Sequence, residues 1–345
     1  MNLADYQEVL PKDHDTALKI NISWHYFFPA CSTTPWQLEG VIRSMLQDGY
    51  IRELLHGCHN RTVVVSAKRG EIANKHRMVV EKYRLRNIHL YENEPWIRYE
   101  PKGKMLVLPE IFPDGIMIPK RMIGENICHL PTIKTHVFTT TTGAMKNAFG
   151  GLLDNKRHYC HSKIHETLAD LLAIQKEIHS GIFTVTDGTT AGNGAGPRTM
   201  LPVEKNILLA SSDSVAIDAV SAKLMGFEPM DHAFIRTAHE RGLGTGRFSE
   251  IEIVGDIDAA KQSWGFATGN NAASCVGKLF WFGPFKWLEE LMFHTPLVYI
   301  FIMASAIYHD RIWYPSKGKD IVNKWLKENR WGKLFAEYQP GGIKR

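Results

Sequence analysis

The chain has 345 residues, of which 44% are hydrophobic, 22% charged and 10% aromatic, and its formal net charge is +5. This composition is typical of a folded globular protein and excludes long disorder and collagen-like structure. Residues 278–345 contain eleven Lys and Arg against six Asp and Glu, so the first 277 residues are neutral on balance. The tail therefore predicts either an acidic partner or a solvated helical face.

Cysteine spacing and apolar stretches limit the setting of the protein. The five cysteines form no CxxC pair, so we expect neither an iron–sulfur cluster nor a ribbon-type zinc site. Residues 1–10 contain acids and no apolar core stretch, so we expect neither a secretory signal nor a transit peptide, and we expect a reducing cytoplasm. The longest uncharged apolar stretch, residues 295–308, is too short to predict a transmembrane span and indicates a core or interfacial helix.

The first third of the chain alternates helices and strands. Thr34 and Pro35 are typical of a helix start, and Gly49 of its end. The predicted elements are a helix over 36–48, a strand over 62–67, a helix over 71–83 and a strand over 88–91. This alternation predicts an α/β fold of mainly parallel sheets with helices on both faces.

The Pro- and Gly-rich stretch 95–119 predicts a boundary or an insertion with short strands at 105–108 and 116–118. The elements predicted beyond it are strands at 127–130, 182–187, 206–210 and 251–255, helices at 143–149, 163–177 and 214–225, and loops at 139–142 and 188–197. Five of the nine tryptophans follow residue 280. We therefore expect an α/β domain over 1–277 and a basic, Trp-rich helical extension over 278–345.

The strongest chemical signal is the passage KTHVFTTTTGAMKNAFGG, residues 134–151. A strand that leads through a loop into a helix is where α/β proteins bind ligands, and the helix start offers N–H groups to an anion. Lys134 and Lys146 would strengthen this preference, and His136 suits proton transfer near neutral pH. The same pattern is also typical of a capped surface loop.

Two further clusters are candidates. His161 and His165 are four residues apart and would share one helix face, which suits a divalent metal, a proton relay or a solvated helix start. Asp187 precedes a glycine-rich stretch that ends at Arg198 and matches neither a dinucleotide fingerprint nor a P-loop. The stretch is typical of a ligand-contacting loop or of an ordinary turn.

These motifs occur in an order that resembles the domain-of-unknown-function 362 family. The resemblance covers residues 17–256 and is carried by KIN, TTP, KTH, TGAMKNAFGG, DGTTAGNGAGP, SDSVAIDAVSAKLMG and IEIVGD. Many members are associated with iron–sulfur clusters through a ferredoxin-like segment, whose cysteines this chain lacks.

A more distant resemblance is to the nickel-dependent lactate racemase family. That family has a histidine, a Gly-rich loop and, ten residues on, a lysine that carries a pincer-like nucleotide cofactor, and His136 and Lys146 have this spacing. His161 falls within one residue of the nickel-binding histidine. GAMK stands here where the racemases have a glycine pair.

We therefore predict an isomerase-like or oxidoreductase-like enzyme that performs acid/base or metal-assisted chemistry on a small anionic molecule. The predicted catalytic residues are His136, Lys146, Lys134 and Asp187. The predicted anion-binding residues are Thr139, Thr140, Thr141, Thr142, Gly143, Asn147, Asn193 and Arg198. The alternative is a non-catalytic ligand-binding protein, or a peripheral protein whose C-terminal extension contacts an anionic membrane surface or a second copy. Nucleic acid is the weakest candidate partner, because no recognised module is present.

Overall fold

The computed structural model describes residues 1–92 and 94–341. Its strands are β1 (Thr16–Ile20), β2 (Leu55–His59), β3 (Arg86–His89), β4 (Trp96–Tyr99), β5 (Ile116–Pro119), β6 (Asn126–Leu130), β7 (Thr132–His136), β8 (Thr140–Thr141), β9 (Gly181–Ala195) and β10 (Thr199–Ser211). Its first nine helices are α1 (Tyr6–Val9), α2 (Pro35–Gln47), α3 (Ala67–Ala73), α4 (His76–Lys82), α5 (Leu108–Ile111), α6 (Ala144–Leu152), α7 (Ile164–Ile178), α8 (Ser214–Met225) and α9 (Ala233–Glu240). The C-terminal helices are α10 (Ile257–Ala260), α11 (Ala272–Trp281), α12 (Glu289–Phe293), α13 (Val298–Ala306), α14 (Lys319–Glu328) and α15 (Arg330–Glu337), with a π-helical stretch between α13 and α14.

The main sheet has the order β3-β2-β1-β6-β9-β7-β8, and β10 pairs with the other edge of β9. Strands β3, β2, β1, β6 and β9 are parallel neighbours, β7 is also parallel to β9, and β10 is antiparallel to it. The chain winds from β1 outward to β3 and then returns to place β6 beside β1. In open α/β sheets the ligand crevice lies at such a reversal point, outside the carboxyl ends of the strands.

Alternate residues of β1 face the two layers of helices. Leu18 and Ile20 belong to the core cluster that includes α2 and α4, whereas Ala17 belongs to the cluster that includes α6 and α7. Lys19 lies between Leu18 and Ile20 and therefore faces the α6 side. This confirms the predicted α/β fold with helices on both faces of a mainly parallel sheet.

Several predicted elements differ from the structure. The β-branched run 62–67 is not a strand. The strand in this part of the chain is β2, which ends at His59, and Ser66 caps α3 by accepting the N–H of Arg69. The predicted helix 71–83 is broken between α3 and α4, where Lys75 has a positive φ of 61°. The predicted turn 188–197 is mostly the second half of β9, whose glycines let β7 and β10 approach closely. Within the described chain no strand forms at 105–108 or at 251–255.

The C-terminal helices pack on the α/β body at several points. Asp310 accepts the indole N–H of Trp24 at 2.7 Å and contacts His25 Nε2 at 3.3 Å. Phe335 of α15 stacks on Phe27 with ring centroids 3.7 Å apart. The predicted boundary at residue 277 falls inside α11, and the last four residues of the predicted extension, with Lys344 and Arg345, lie outside the described residues.

No single helix in the described ranges is long and apolar enough to cross a membrane. A pair of helical segments, Lys286–Phe293 and Val298–Glu328, passes the same length and composition test together, with a bend of 88° between them.

Candidate functional site

A cavity of about 500 Å³ lies where the carboxyl ends of β1 and β7 meet α6 and the C-terminal helices. Its polar lining includes Lys19 and Asn21 at the end of β1, and Lys134 and His136 at the end of β7. Helix α6 contributes Lys146 to the same space. The cavity therefore occupies the position at which an α/β sheet of this winding binds ligands.

Five cationic side chains line this cavity. They are Lys19, Lys134, Lys146, Arg157 and Arg198. No Asp or Glu lines the cavity in the described parts of the chain. Cations that are gathered without acids create a positive potential, which attracts an anion with more than one negative charge.

The three buried members of this set have only neutral hydrogen-bond partners. Lys134 is 1% exposed, and its Nζ donates to Thr132 Oγ1 at 2.6 Å and to Asn21 Oδ1 at 3.1 Å. Lys19 Nζ donates to the carbonyl of Ile20 at 3.0 Å, and Arg157 donates to backbone carbonyls. Buried charges in proteins are normally paired with acids, whereas these three groups have neutral hydrogen-bond partners, and the carboxylate of Asp154 only partly offsets the effect of burial on Arg157.

Arg198 and Lys146 are the other two cationic side chains of the cavity, and they also have few hydrogen-bond partners. The Nη1 atom of Arg198 is buried and has no hydrogen-bond partner in the described structure. Lys146 Nζ makes one long contact, at 3.3 Å, with Thr139 Oγ1. A guanidinium presents five donors in a fixed fork that matches carboxylate and phosphate oxygens. The Nη1 atom of Arg198 is therefore a buried donor that an anion oxygen could satisfy.

The protein environment makes these cations easier to neutralise. Burial lowers the pKa of Lys19 and of Lys134 to about 8. Burial and then the charge of Lys134 lower the pKa of Lys146 well below its ordinary value. Perturbed lysines are common at sites where an amine binds an anion or accepts a proton.

Two histidines in the cavity present opposite hydrogen-bonding roles. His136 Nδ1 accepts the backbone N–H groups of Phe138 and Thr139, at 3.1 and 3.4 Å, so its proton is on Nε2. His161 Nδ1 donates to the carbonyl of His158 at 2.8 Å, which leaves a lone pair on Nε2. We assign both tautomers from these hydrogen bonds. His136 is thus a donor toward the cavity and His161 an acceptor.

Burial keeps both imidazoles neutral. It lowers the pKa of His136 well below its ordinary value, with further lowering by Lys146, and it lowers the pKa of His161 to about 4. His161 also stacks on Trp281, with ring centroids 4.4 Å apart, which fixes the plane of the ring. A neutral, oriented imidazole with a free lone pair is suited to accept a proton.

The N-terminus of α6, expected to bind the anion, is already occupied. Asp218 of α8 accepts the N–H groups of Ala144 and Met145 at 2.7 and 3.1 Å, and burial raises its pKa to about 7. Gly143 lies against this carboxylate, and a Cβ on it would be 1.9 Å from Asp218 Oδ1. These two N–H groups of the helix start are therefore not available to an anion.

Gly143→Ala is expected to destabilise the protein. The new methyl would collide with Asp218 and displace this cap, and we expect the free energy of unfolding to fall by about 2–4 kcal/mol. The matched control is Gly40→Ala inside α2, where nothing lies within 4 Å and alanine favours the helix by about 0.5–1 kcal/mol. Urea unfolding of both variants measures the difference, and equal stability of the two would contradict the packing described.

Only some of the predicted anion-binding residues line the cavity. Those that line the cavity are Thr142, Gly143, Asn147 and Arg198. Thr139, Thr140 and Thr141 are outside its lining, and Thr139 Oγ1 accepts a hydrogen bond from Lys146 Nζ. Asn193 is also outside the lining, and its Oδ1 accepts the N–H of Ala267 at 3.0 Å.

Asp187 and His165 also lie outside the cavity lining. Asp187 accepts the hydroxyl of Thr34 at 2.5 Å and the N–H of Thr189 at 2.7 Å, and so supports the start of α2. His165 packs on Phe234, with ring centroids 6.1 Å apart. Of the predicted metal pair, only His161 faces the cavity.

The residues of the cavity do not form a set of ligands for a bare divalent cation. The five cationic side chains would repel such an ion, and the described lining contains no carboxylate that could bind it. One group with ligand atoms within 4.8 Å of one another occurs elsewhere in the described chain: His59, Glu71 and His89. Glu71 Oε2 is already hydrogen-bonded there by both imidazoles and by Asn87, at 2.8–3.0 Å.

The cavity residues that carried no role in the sequence interpretation include Lys19, Arg157 and His309. Lys19 belongs to the KIN motif at the end of β1, and its position at a strand end could have indicated that it lies in the ligand crevice. Arg157 lies in the 3-10 helix Asn155–Lys163 and His309 in the π-helical stretch, where no local motif marks them.

Fold and site together define an α/β protein with a cation-lined cavity at the carboxyl edge of its sheet. The chain belongs to the family described as domain of unknown function (DUF362), whose model matches residues 16–223. A thylakoid-associated protein of Synechocystis sp., sll1697, is 27% identical over 111 residues, which are 31% of this chain and 35% of that protein. The chain thus matches about a third of the length of this relative. No solved structure was found to match the chain.

Proposed function

We propose that the protein binds a small polyanion in this cavity and catalyses proton transfer on it. The observation that carries the proposal is the convergence of five cationic side chains in a cavity whose described lining contains no Asp or Glu. Such a cluster destabilises the ligand-free protein, and a bound phosphate or carboxylate would relieve this cost. Arg198 would hold the anion through its fork, and Lys19, Lys134 and Arg157 would supply charge.

The histidine pair supports the catalytic part of the proposal. His161 Nε2 would accept a proton from the substrate, and the Nε2–H of His136 would donate a hydrogen bond to the oxygen on which charge develops. Lys146, next to His136 and with a lowered pKa, would stabilise the same charge. The reaction class is an isomerisation or racemisation beside a carboxylate.

The racemase resemblance assigns a cofactor to Lys146 and nickel to His161, and both residues line the cavity. A pincer-like cofactor would supply hydride chemistry when bound. The lone pair of His161 Nε2 is available, but the other cavity histidines and the cations do not complete a metal-binding set. The proposed proton transfer accordingly relies on His161 and His136.

Calorimetric titration tests the proposal directly. Wild-type protein is titrated with phosphate, pyrophosphate and a series of 2-hydroxycarboxylates at low ionic strength. Binding of at least one of these anions with a one-to-one stoichiometry is expected, and its affinity should fall as salt is added. The absence of binding by every anion in the series would contradict the proposal.

Sulfate binding should weaken above pH 8. The pKa of Lys19 and of Lys134 is about 8 in the free protein, so both ammonium groups are charged below this pH and lose their protons above it. Because sulfate keeps its charge over this range, we expect a constant Kd below pH 8 and a rise above it of about tenfold per pH unit for each lysine. Calorimetry from pH 6.5 to 9.5 measures this profile, and a Kd that stays constant to pH 9.5 would exclude these lysines from binding.

We also propose a peripheral location at a membrane. The printed name of the Synechocystis relative associates that protein with thylakoids, and the chain matches about a third of its length. The exposed apolar residues of the C-terminal helices support the same location.

A further inference from the structure

Exposed apolar side chains concentrate in residues 276–312, here called the lid segment. Twelve of the 23 large hydrophobic side chains that are exposed in the described chain lie in this segment. Trp287 is 77% exposed, Tyr299 68% and Met303 62%. So many exposed apolar side chains in one segment indicate a surface that contacts an apolar partner.

Helix α13 indicates which kind of partner this is. Its sequence, VYIFIMASA, contains no charged residue, and none of its nine residues is buried. A helix that is apolar on every side is normally enclosed by a protein core or by lipid. A flat protein partner would cover one stripe of α13, whereas the acyl region of a bilayer contacts all sides that the protein leaves open. Trp287 and Tyr299 are also residue types that favour the membrane interface.

The inner side of the lid segment forms the apolar wall of the cavity. The wall residues that it contributes are Val276, Trp281, Phe293, Val298, Phe301 and Ile302. Val276 lines the cavity and is 42% exposed. The segment is fastened to the body near both ends, through Asn271 to Thr199 at 2.9 Å and through Asp310 to Trp24.

Building on the proposed anion-binding function, we infer that the lid segment rests in the surface of a lipid bilayer and that the cavity takes an amphiphilic phosphate from it. The phosphate would sit among the cations, and its hydrocarbon chain would lie along the wall formed by the lid segment. One end of the cavity lining is cationic and the other apolar, which matches a ligand with these two parts. The bilayer contact brings such a ligand to the lid segment, whose side chains form the apolar wall of the cavity.

Vesicle flotation tests the membrane contact. The full chain is floated with vesicles of phosphatidylcholine and phosphatidylglycerol in a 7:3 ratio at low salt. Ile300→Glu/Met303→Glu places two charges on α13, where these side chains are 56% and 62% exposed, and we expect at least a tenfold loss of association. The matched control, Leu201→Glu/Leu208→Glu, alters two side chains on β10 that are each 61% exposed, and it should float like the wild type.

Two results would overturn the membrane contact. One is equal flotation of the α13 variant and the wild type, or no flotation of either. The other is a wild-type dimer, detected by light scattering, that the α13 variant dissociates while neither protein floats, because a second copy would then cover the lid segment. Melting curves confirm that both variants are folded.

A pair of soluble probes tests the ligand class separately. Dioctanoyl phosphatidate, used below its aggregation concentration, should bind at least 100-fold more tightly than glycerol 3-phosphate, since each methylene placed in apolar surroundings contributes about fourfold. Lys134→Met should weaken the binding of both probes. Equal affinities for the two probes would reject an amphiphilic ligand but leave the proposed anion-binding function intact, whereas failure of both probes to bind would count against that function itself.

Discussion

Lys134→Met is expected to weaken anion binding strongly and to stabilise the protein at the same time. Lys134 is a buried ammonium without an acidic partner, and methionine has a similar length and no charge. Removal of one charge from a desolvated contact should raise the Kd for pyrophosphate about 100-fold. Calorimetry gives the Kd, and urea unfolding gives the stability.

The stabilising effect has a defined pH dependence. Because the pKa of Lys134 is about 8 when folded and 10.5 in its ordinary state, its charge opposes folding at all pH values below 8, by roughly 3 kcal/mol. Loss of the hydrogen bonds to Asn21 and Thr132 offsets part of this, so we expect a net gain of about 1–2 kcal/mol at pH 7. The gain should shrink as the pH rises from 8 toward 10.5.

The matched control for this variant is Lys120→Met, which removes an exposed charge outside the cavity lining. We expect it to leave both the Kd and the stability within error of the wild type. A Lys134→Met protein that binds pyrophosphate as well as the wild type would remove Lys134 from the site.

His161→Gln is expected to reduce proton transfer about 10²–10⁴-fold. The reaction is followed as deuterium incorporation into 2-hydroxycarboxylates in D₂O. His161 supplies the lone pair that accepts the proton, and because its pKa is about 4 the wild-type rate should be constant above pH 5 and fall below pH 4. The variant should still bind the anion, since the cationic side chains are unchanged.

The two histidines should respond differently to the same substitutions. His136 acts as a donor, so His136→Gln keeps an N–H and should lose about tenfold, while His136→Leu should lose about 10²-fold. His165→Gln is the matched control, because His165 lies four residues from His161 but outside the cavity lining. Loss of exchange in His165→Gln equal to that in His161→Gln would reject the assigned roles.

The parts of the fold with local signals were predictable from sequence. Helix α8 has the predicted bounds because Asp213 caps its start and Gly226, with a φ of 99°, ends it. Strand β2 was missed because its sequence, LHGCH, carries two histidines and a glycine although all five residues are buried. The β-branched run that followed looked more like a strand, but its valines line the cavity.

Only part of the site was predictable from sequence, because some of its residues share one local motif and others are brought together by tertiary structure. Lys134, His136 and Lys146 lie within thirteen residues, so one motif revealed them. Lys19 comes from a strand more than a hundred residues earlier, and only the parallel pairing of β1 with β6 brings it to the same edge. The capping of α6 by Asp218 could not be foreseen either, because α8 lies 70 residues downstream and its packing is tertiary.

The cavity holds the buried ammonium groups of Lys19 and Lys134, whose hydrogen-bond partners are neutral. The most direct test of an anion site there is the titration of ε-¹³C-labelled lysines by NMR, with Lys19→Met and Lys134→Met used for assignment. We expect Lys19 and Lys134 to titrate at about pH 8 and to shift to higher pH when pyrophosphate is added. Titration of both lysines near 10.5, unchanged by pyrophosphate, would contradict the proposed anion site.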